Sequence, residues 1–465
     1  MLTEQSPARQ RNAMLAVLLV GAFLMLLAET FFNNALPTII ATYRVSQSTA
    51  QWVSTGYQLV AGLMIPLSAW QFHNFNLKKT YLTLASIFLT GCLVGFFAPN
   101  FPCLLAARLI QAIAAGSMIP LIQNVVLVLY PADKRGALMG TIGLVVAFGP
   151  ALGPTVGGLI IDSLGLDWLF GVLIPLTLVL IILTCFLVHP VQSQAAVAVD
   201  WPSIAASSLG FGALLYGFSA IGNAGEVTTG SLVAILVGMV ILFWFCRRQL
   251  KIENPLIELR VFKNPTFDLA TLLSALSNIA LLGVELVLPL YLQRVRGLSA
   301  LDSGLLLLPG AVLEGLLSPV SGKLFDRFGI RPVAIGGFAI VALGTLPMLF
   351  FTTHTSLVWV ALTYAFRIVG VAIVMMPTFT EGINALSPQL AVHGNAASST
   401  VRQIAGSLGT ALLMTMVAFG TNSASVAHAS AASRLVHGYW FAFLIAFLMA
   451  LLGFVLSFWT GRNKN

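Results

Sequence analysis

The chain has 465 residues, 58% of them hydrophobic and only 8% charged, and its mean hydropathy is +0.95. Soluble proteins are about a quarter charged, so a string of soluble domains is excluded and lipid is the solvent that suits such a surface. The net charge of +8 does not mark a nucleic-acid binder, because the basic residues sit in short segments between apolar runs, where they serve membrane orientation.

Arg9 and Arg11 precede an apolar stretch from Met14 to about Leu36 that contains Glu29; it is too long for the apolar core of a signal peptide and is read as the first span. A hydrocarbon core of about 30 Å takes about 20 helical residues. Stretches of that kind recur near 14–36, 51–71, 79–98, 102–129, 137–160, 168–188, 201–221, 230–246, 267–291, 302–322, 332–351, 356–380, 396–420 and 437–459, which makes fourteen. Helices are required because unsatisfied backbone groups are too costly in lipid, and no barrel-type alternation is present. The segments 192–199 and 421–433, rich in small residues, read as linkers.

Charge placement agrees with fourteen spans. With the N-terminus in the cytoplasm, sixteen of the 23 Lys and Arg residues fall on the cytoplasmic side, from Arg9 through Lys78, Lys134, Arg247 and Lys323 to Lys464. Four fall outside (Arg44, Arg294, Arg296, Arg434), and Arg108, Arg367 and Arg402 lie within spans. An internal repeat points the same way. Aligning His73 with Asp326 gives an offset of 253 residues, Arg108 with Arg367 gives 259, and Gly149 with Gly406 gives 257. Two six-helix halves follow, 14–189 and 267–460, with two extra helices and a linker at 190–266; paired halves around a central cavity are an architecture of secondary transporters.

Cys92, Cys103, Cys185 and Cys246 form no CxxC pair, and the six histidines do not cluster like ligands. No nucleophile elbow, phosphate-binding loop or zinc helix appears, so neither an enzyme, a metal, a cofactor nor ATP-driven pumping is expected.

At residue level the chain resembles the major facilitator superfamily, and specifically its fourteen-span EmrB/QacA branch of drug:proton antiporters. Residues Gly322 to Arg331 (GKLFDRFGIR) are similar to the superfamily's cytoplasmic loop signature, Asn33-Asn34-Ala35-Leu36-Pro37 to the branch's first-span ending, and Gly153-Pro154-Thr155-Val156-Gly157-Gly158 to the antiporter motif of span five. Asp200-Trp201, Pro255-Leu256, Gln293, Pro309 and the run from Gly394 to Gln403 also match. There are departures: His73, Asn74 and Asn76 replace Asp, Arg and Gly in the first-half copy of the loop signature, Ala28 stands where the first-span acid is usual with Glu29 next to it, and Ala112 replaces a Gly in span four. The resemblance implies an all-helical membrane fold of two six-helix bundles with two inserted helices, a multipass protein of the cell membrane with both termini cytoplasmic, monomeric, and exporting drugs in exchange for protons.

An ionisable group at mid-membrane costs roughly 2.5–3.5 kcal/mol on insertion scales, so each needs a reason. Glu29, Glu285 and Glu314 lie inside spans one, nine and ten, and Glu381 near the inner end of span twelve. A carboxylate in a cavity that hydrates from alternate sides can exchange a proton for a cation. Glu29, Glu314, Glu285 and Arg108 are therefore the expected proton-coupling groups. Glu29, Asn33, Gln58, Glu285, Glu314 and Glu381 are expected to bind substrate, with Phe31, Phe32, Trp52 and Tyr57 as further lining residues. The plain alternative is that each Glu merely pairs with an Arg, for example Arg367 or Arg402 with Glu285 or Glu314. Gly153, Pro154, Gly157 and Gly158 are expected to make a close, bendable contact between the halves. Gly322, Asp326, Arg327, Gly329 and Arg331 are expected to form a cytoplasmic lock in which Asp326 caps a helix and binds Arg327 or Arg331, and Arg402 is grouped with them as a conformational residue. Lipophilic, cationic cargo suits the acids. An endogenous lipid, peptide or anionic metabolite suits the three buried Arg, and a non-transporting membrane sensor is a third reading.

Overall fold

In the computed structural model the residues described are 7–32, 35–191, 200–224, 227–253, 255–423 and 431–461. They are organised as helices. The first span is α1 (Ala8–Phe31), continued after a break by α2 (Leu36–Tyr43) and the single turn α3 (Gln47–Ala50). The remainder of the first half is α4 (Trp52–Asn74), α5 (Leu77–Phe96), α6 (Phe101–Leu129), α7 (Ala132–Leu164), and the short α8 (Trp168–Gly171) running into α9 (Leu173–Leu187). The inserted pair is α10 (Trp201–Ala224) and α11 (Thr229–Gln249). In the second half, α12 (Pro265–Arg294), α13 (Ala300–Phe328), α14 (Ile330–Thr345), α15 (Leu357–Asn384), α16 (Pro388–Ser423) and α17 (Ala431–Ser457) repeat the pattern.

Thirteen of these stretches are long and apolar enough to cross a bilayer. The fourteenth expected span is α4, which has 23 residues but carries Ser54, Thr55, Gln58, Ser68, Gln71 and His73. Its polarity follows from its position, because α4 packs against α6, α10 and α16 instead of facing lipid on all sides. By contrast α11 exposes Leu236, Val240 and Phe243, as a lipid-facing helix should.

Helix starts were written in short polar residues. Asn76, Asn100, Asn264 and Ser299 each accept a hydrogen bond from a first-turn N–H, and Thr228 and Ser231 make a reciprocal capping box ahead of α11. Asp200 receives a two-pronged bond from Arg248 across the inserted pair, which holds its carboxyl below the usual carboxylate range. Gln249 accepts from the N–H groups of Leu256 and Ile257 and so ties the following linker to the end of α11.

The two halves meet along two seams. α7 runs beside α13, and α4 beside α16, with the inserted helix α10 lying over the second seam. The end where α1 begins and α4 ends carries most Lys and Arg and is termed the basic face. Here the helices are longer than the apolar runs indicate. Gly322 to Phe328, expected as loop, completes α13, and His73 lies in the last turn of α4. Only Gly329, at φ +76°, makes the turn into α14, a conformation that favours glycine. Segment 192–199, most of 421–433, Asn33, Arg462 and Lys464 lie outside the described residues, as does the side chain of Pro154.

Candidate functional site

Arg108 is fully buried on α6, and its neighbours explain why that is tolerable. One terminal nitrogen donates to the carbonyl of Ala28 (3.2 Å) and to Gln111 Oε1 (2.9 Å), and the other to the carbonyl of Glu29 (3.1 Å). The guanidinium carbon lies 4.2 Å from the ring centre of Phe32 and 4.0 Å from that of Tyr57, so two aromatic faces add cation–π attraction. Tyr57 donates to the carbonyl of Met25, and Gln111 bonds the sulfur of Cys92. This network gathers where α1 breaks after Phe31, a place where carbonyls lack helical partners.

Glu29 sits on the last turn of α1, half-buried, beside Gln58 and within electrostatic reach of Arg108. It makes no ion pair with Arg108 among the described residues; the guanidinium takes its main-chain carbonyl instead. The carboxylate has the Gln58 side chain as its polar neighbour, while the guanidinium beside it is held by carbonyls and rings.

The second half repeats the theme with different polarity. Arg367, at the repeat-related position on α15, is fully buried and donates to Thr345 Oγ1 (3.0 Å) and to the carbonyl of Ala280 on α12. Gly344 lets α14 come close, since a Cβ there would lie 2.6 Å from Arg367 Cα. Glu285 on α12 and Glu314 on α13 act electrostatically on each other, on Arg367 and on Tyr364, one turn before Arg367. Glu314 is 6% exposed and Glu285 half-buried, and among the described residues neither is ion-paired. The pairing of these acids with Arg367 or Arg402 is therefore not what the structure shows. Arg402 lies over the ring of Phe379 at 4.4 Å and bonds Ser399, while its carbonyl accepts from Asn278 at 2.7 Å.

Two corrections concern the glycines and the lock. Gly149, Gly153 and Gly157 do not join the halves. They admit α1, since a Cβ at Gly149 would lie 2.7 Å from Leu26, one at Gly153 would strike Thr30, and one at Gly157 would lie 2.8 Å from the Phe31 carbonyl. Gly158 has no neighbour there at all within 4 Å. The close contact between halves is made lower on α7, where Gly136 and Gly140 meet Gly322 and Ser318 of α13 backbone to backbone. Asp326, in turn, does not bind Arg327 or Arg331. Its two oxygens accept the N–H groups of Gly136 (3.1 Å) and Ala137 (2.9 Å) across the seam, and Arg327 lies over Phe328. The carboxylate prefers the partially positive first turns of α7 to an exposed guanidinium.

Glu381 also moves out of the expected group. It lines a cleft of about 970 Å³ at the basic face with Asp133, Arg260, Lys263, Asp326 and Asn384, far along the helices from Glu29, Glu285 and Glu314. Further bonds across the seams close this face: Arg135 to Asn384 (3.1 Å), and Asn395 to Asn124 (2.6 Å) and to the carbonyl of Pro120 (2.9 Å). Tyr364, Asn124 and Arg135 escaped sequence reasoning as site residues, and Asn395, inside the matched run from Gly394 to Gln403, was given no partner there. A Tyr three residues before a buried Arg was a usable signal for the first; the bonds across the seams had none.

A profile of the Major Facilitator Superfamily matches residues 18–410. The chain belongs to the major facilitator superfamily. This facilitator is 43% identical to the uncharacterised facilitator-type transporter YcnB of Bacillus subtilis over 98% of its own length and 96% of the relative's. It is 35% identical to the lincomycin resistance protein LmrB of Listeria monocytogenes, with 97% of each chain covered. Among solved structures, the human organic anion transporter MFSD10 superimposes with a TM-score of 0.68 at 16% identity, covering 97% of this facilitator and all of that chain, a likeness of fold.

Proposed function

We propose that this transporter is a drug:proton antiporter of the EmrB/QacA type that exports lipophilic, cationic compounds across the cell membrane by alternating access. The observation that carries the reading is Glu29, an acid at a helix break that lacks an ion pair while Arg108 beside it is held by carbonyls and rings. Ionised Glu29 takes up a cation from the cytosol; protonation from outside neutralises it and releases the cargo. Glu285 and Glu314 supply a second proton-exchanging cluster in the other half. One charge crossing 100 mV supplies about 2.3 kcal/mol, equivalent to a roughly fiftyfold concentration ratio. The basic face is assigned to the cytosol from its Lys and Arg, and the bonds that close it, Asp326 to α7 among them, fit a state sealed on that side. The name of the Listeria relative supports antibiotic cargo.

A second reading, an exporter of anionic metabolites, lipids or peptides, is favoured by one observation: Arg108, Arg367 and Arg402 are all buried and each retains an N–H without a partner. Purified protein in vesicles with an imposed pH gradient separates the two. Proton flux should appear with ethidium-like cations and not with anionic compounds; the reverse selects the second reading. Glu29→Gln should abolish coupled transport and leave the protein folded, whereas full activity in that variant removes Glu29 from the mechanism.

A further inference from the structure

The basic face is closed by two contacts that the internal repeat relates but whose chemistry differs. Asp326 and His73 correspond at an offset of 253 residues, and Gly136 and His393 at 257. Where the second half sets the Asp326 carboxylate on the N–H of Gly136, the first half sets the ring of His73 on the ring of His393, with centroids 5.0 Å apart and planes inclined by 27°. One ring belongs to α4 and the other to α16, so the pair bridges the seam between halves. His73 is only 5% exposed, and both His73 Nε2 and His393 Nδ1 are buried without a hydrogen-bond partner.

We propose that His73 and His393 form a proton-sensitive latch, holding α4 to α16 while neutral and driving the basic face open when both are protonated. The inference uses the alternating-access part of the function above and is independent of Glu29. Neutral imidazoles stack and pack; two imidazolium ions at this separation repel, and with an effective dielectric constant near 20 that repulsion displaces an equilibrium by roughly a hundredfold or more. Among the described residues neither ring has an ion-pair partner. On the packed elements, Lys78 bonds the Cys185 carbonyl and Arg11 that of Leu129, Asp200 with Arg248 and Glu258 with Arg260 hold each other, Lys79, Lys263 and Asp268 are exposed, Glu381 lines the basic-face cleft, and Arg402, further along α16, lies over Phe379. The Leu256 carbonyl is the polar group against His393. Opening wets both rings and takes up protons, so by linkage acid on this side favours the open form. The Asp326 contact differs in that its partners are main-chain N–H groups, which do not titrate.

The test is a distance measurement across the seam in full-length protein, with spin labels at Lys79→Cys and Gln389→Cys, both exposed positions. Between about pH 8 and pH 5.5 the population with separated labels should grow by about fivefold or more. His73→Gln/His393→Gln should abolish that growth, and either single change should diminish it by removing the repulsion, which serves if the double variant folds poorly. Glu29→Gln should keep the growth. A pH-independent population in the unsubstituted protein overturns the latch, as does growth that the histidine changes leave undiminished. Growth lost only with Glu29→Gln overturns the latch and leaves the antiport reading standing; full transport in Glu29→Gln with the distance change retained does the opposite.

Discussion

Arg108 is held without a carboxylate. Carbonyls at the α1 break, the amide of Gln111 and two ring faces share its charge, an arrangement that depends on a flat, forked cation. A lysine at this place offers a point charge that cannot reach Ala28, Glu29 and Gln111 together. Arg108→Lys should therefore lower the initial rate of gradient-driven transport about tenfold or more in vesicles, at matched amounts of folded protein. A rate within twofold of the original would mean that only the charge matters there. Glu29 shows the complementary principle, since an acid already bonded to a fixed cation has less to exchange.

Between helices, closeness is decided by what a Cβ would strike. At Gly322 an added methyl meets the carbonyl of Gly136 on α7, and neither backbone can give way without separating the two helices. Gly322→Ala should cost about 1–3 kcal/mol, read as a lower melting temperature in detergent, and should increase labelling of cysteines placed in the α7–α13 seam at the basic face. Gly158→Ala meets nothing and should leave both readouts unchanged. If the two variants behave alike, the α7–α13 contact is not the tight one. The same seam explains the placement of Asp326, whose oxygens reach main-chain N–H groups that only glycine-close packing brings within range.

At the scale of the molecule, the two halves are alike in plan and unlike in detail. Each clamps a buried Arg to its own first helix, yet the first half has one acid beside that Arg and the second has two. Each closes the basic face with the end of its second helix, once through a carboxylate and once through an imidazole. The proposed placement of this face toward the cytosol makes its own prediction. In a cysteine-free background, Lys79→Cys should react with an impermeant maleimide only in inverted vesicles and Arg44→Cys only in right-side-out cells, both side chains being exposed. The opposite pattern would reverse the direction of transport.

By itself the sequence determined the class of solvent, the helical fold, the span count to within the polar α4, and the twofold plan, because these follow from apolar length and from repeated landmarks. It also marked Glu29, Arg108, Glu285 and Glu314, since a charge inside an apolar run is visible without coordinates. Only the tertiary structure decided that Arg108 bonds carbonyls, that Gly153 and Gly157 receive α1 and not the other half, that Asp326 reaches across to α7, and that Glu381 belongs to the basic-face cleft. The physical reason is common to all four. Partners distant in the chain are selected by which helices pack together, as in Arg108 to Ala28, 80 residues apart, and Gly136 to Asp326, 190 residues apart. Hydropathy reports how deep a residue lies but not which neighbour it faces.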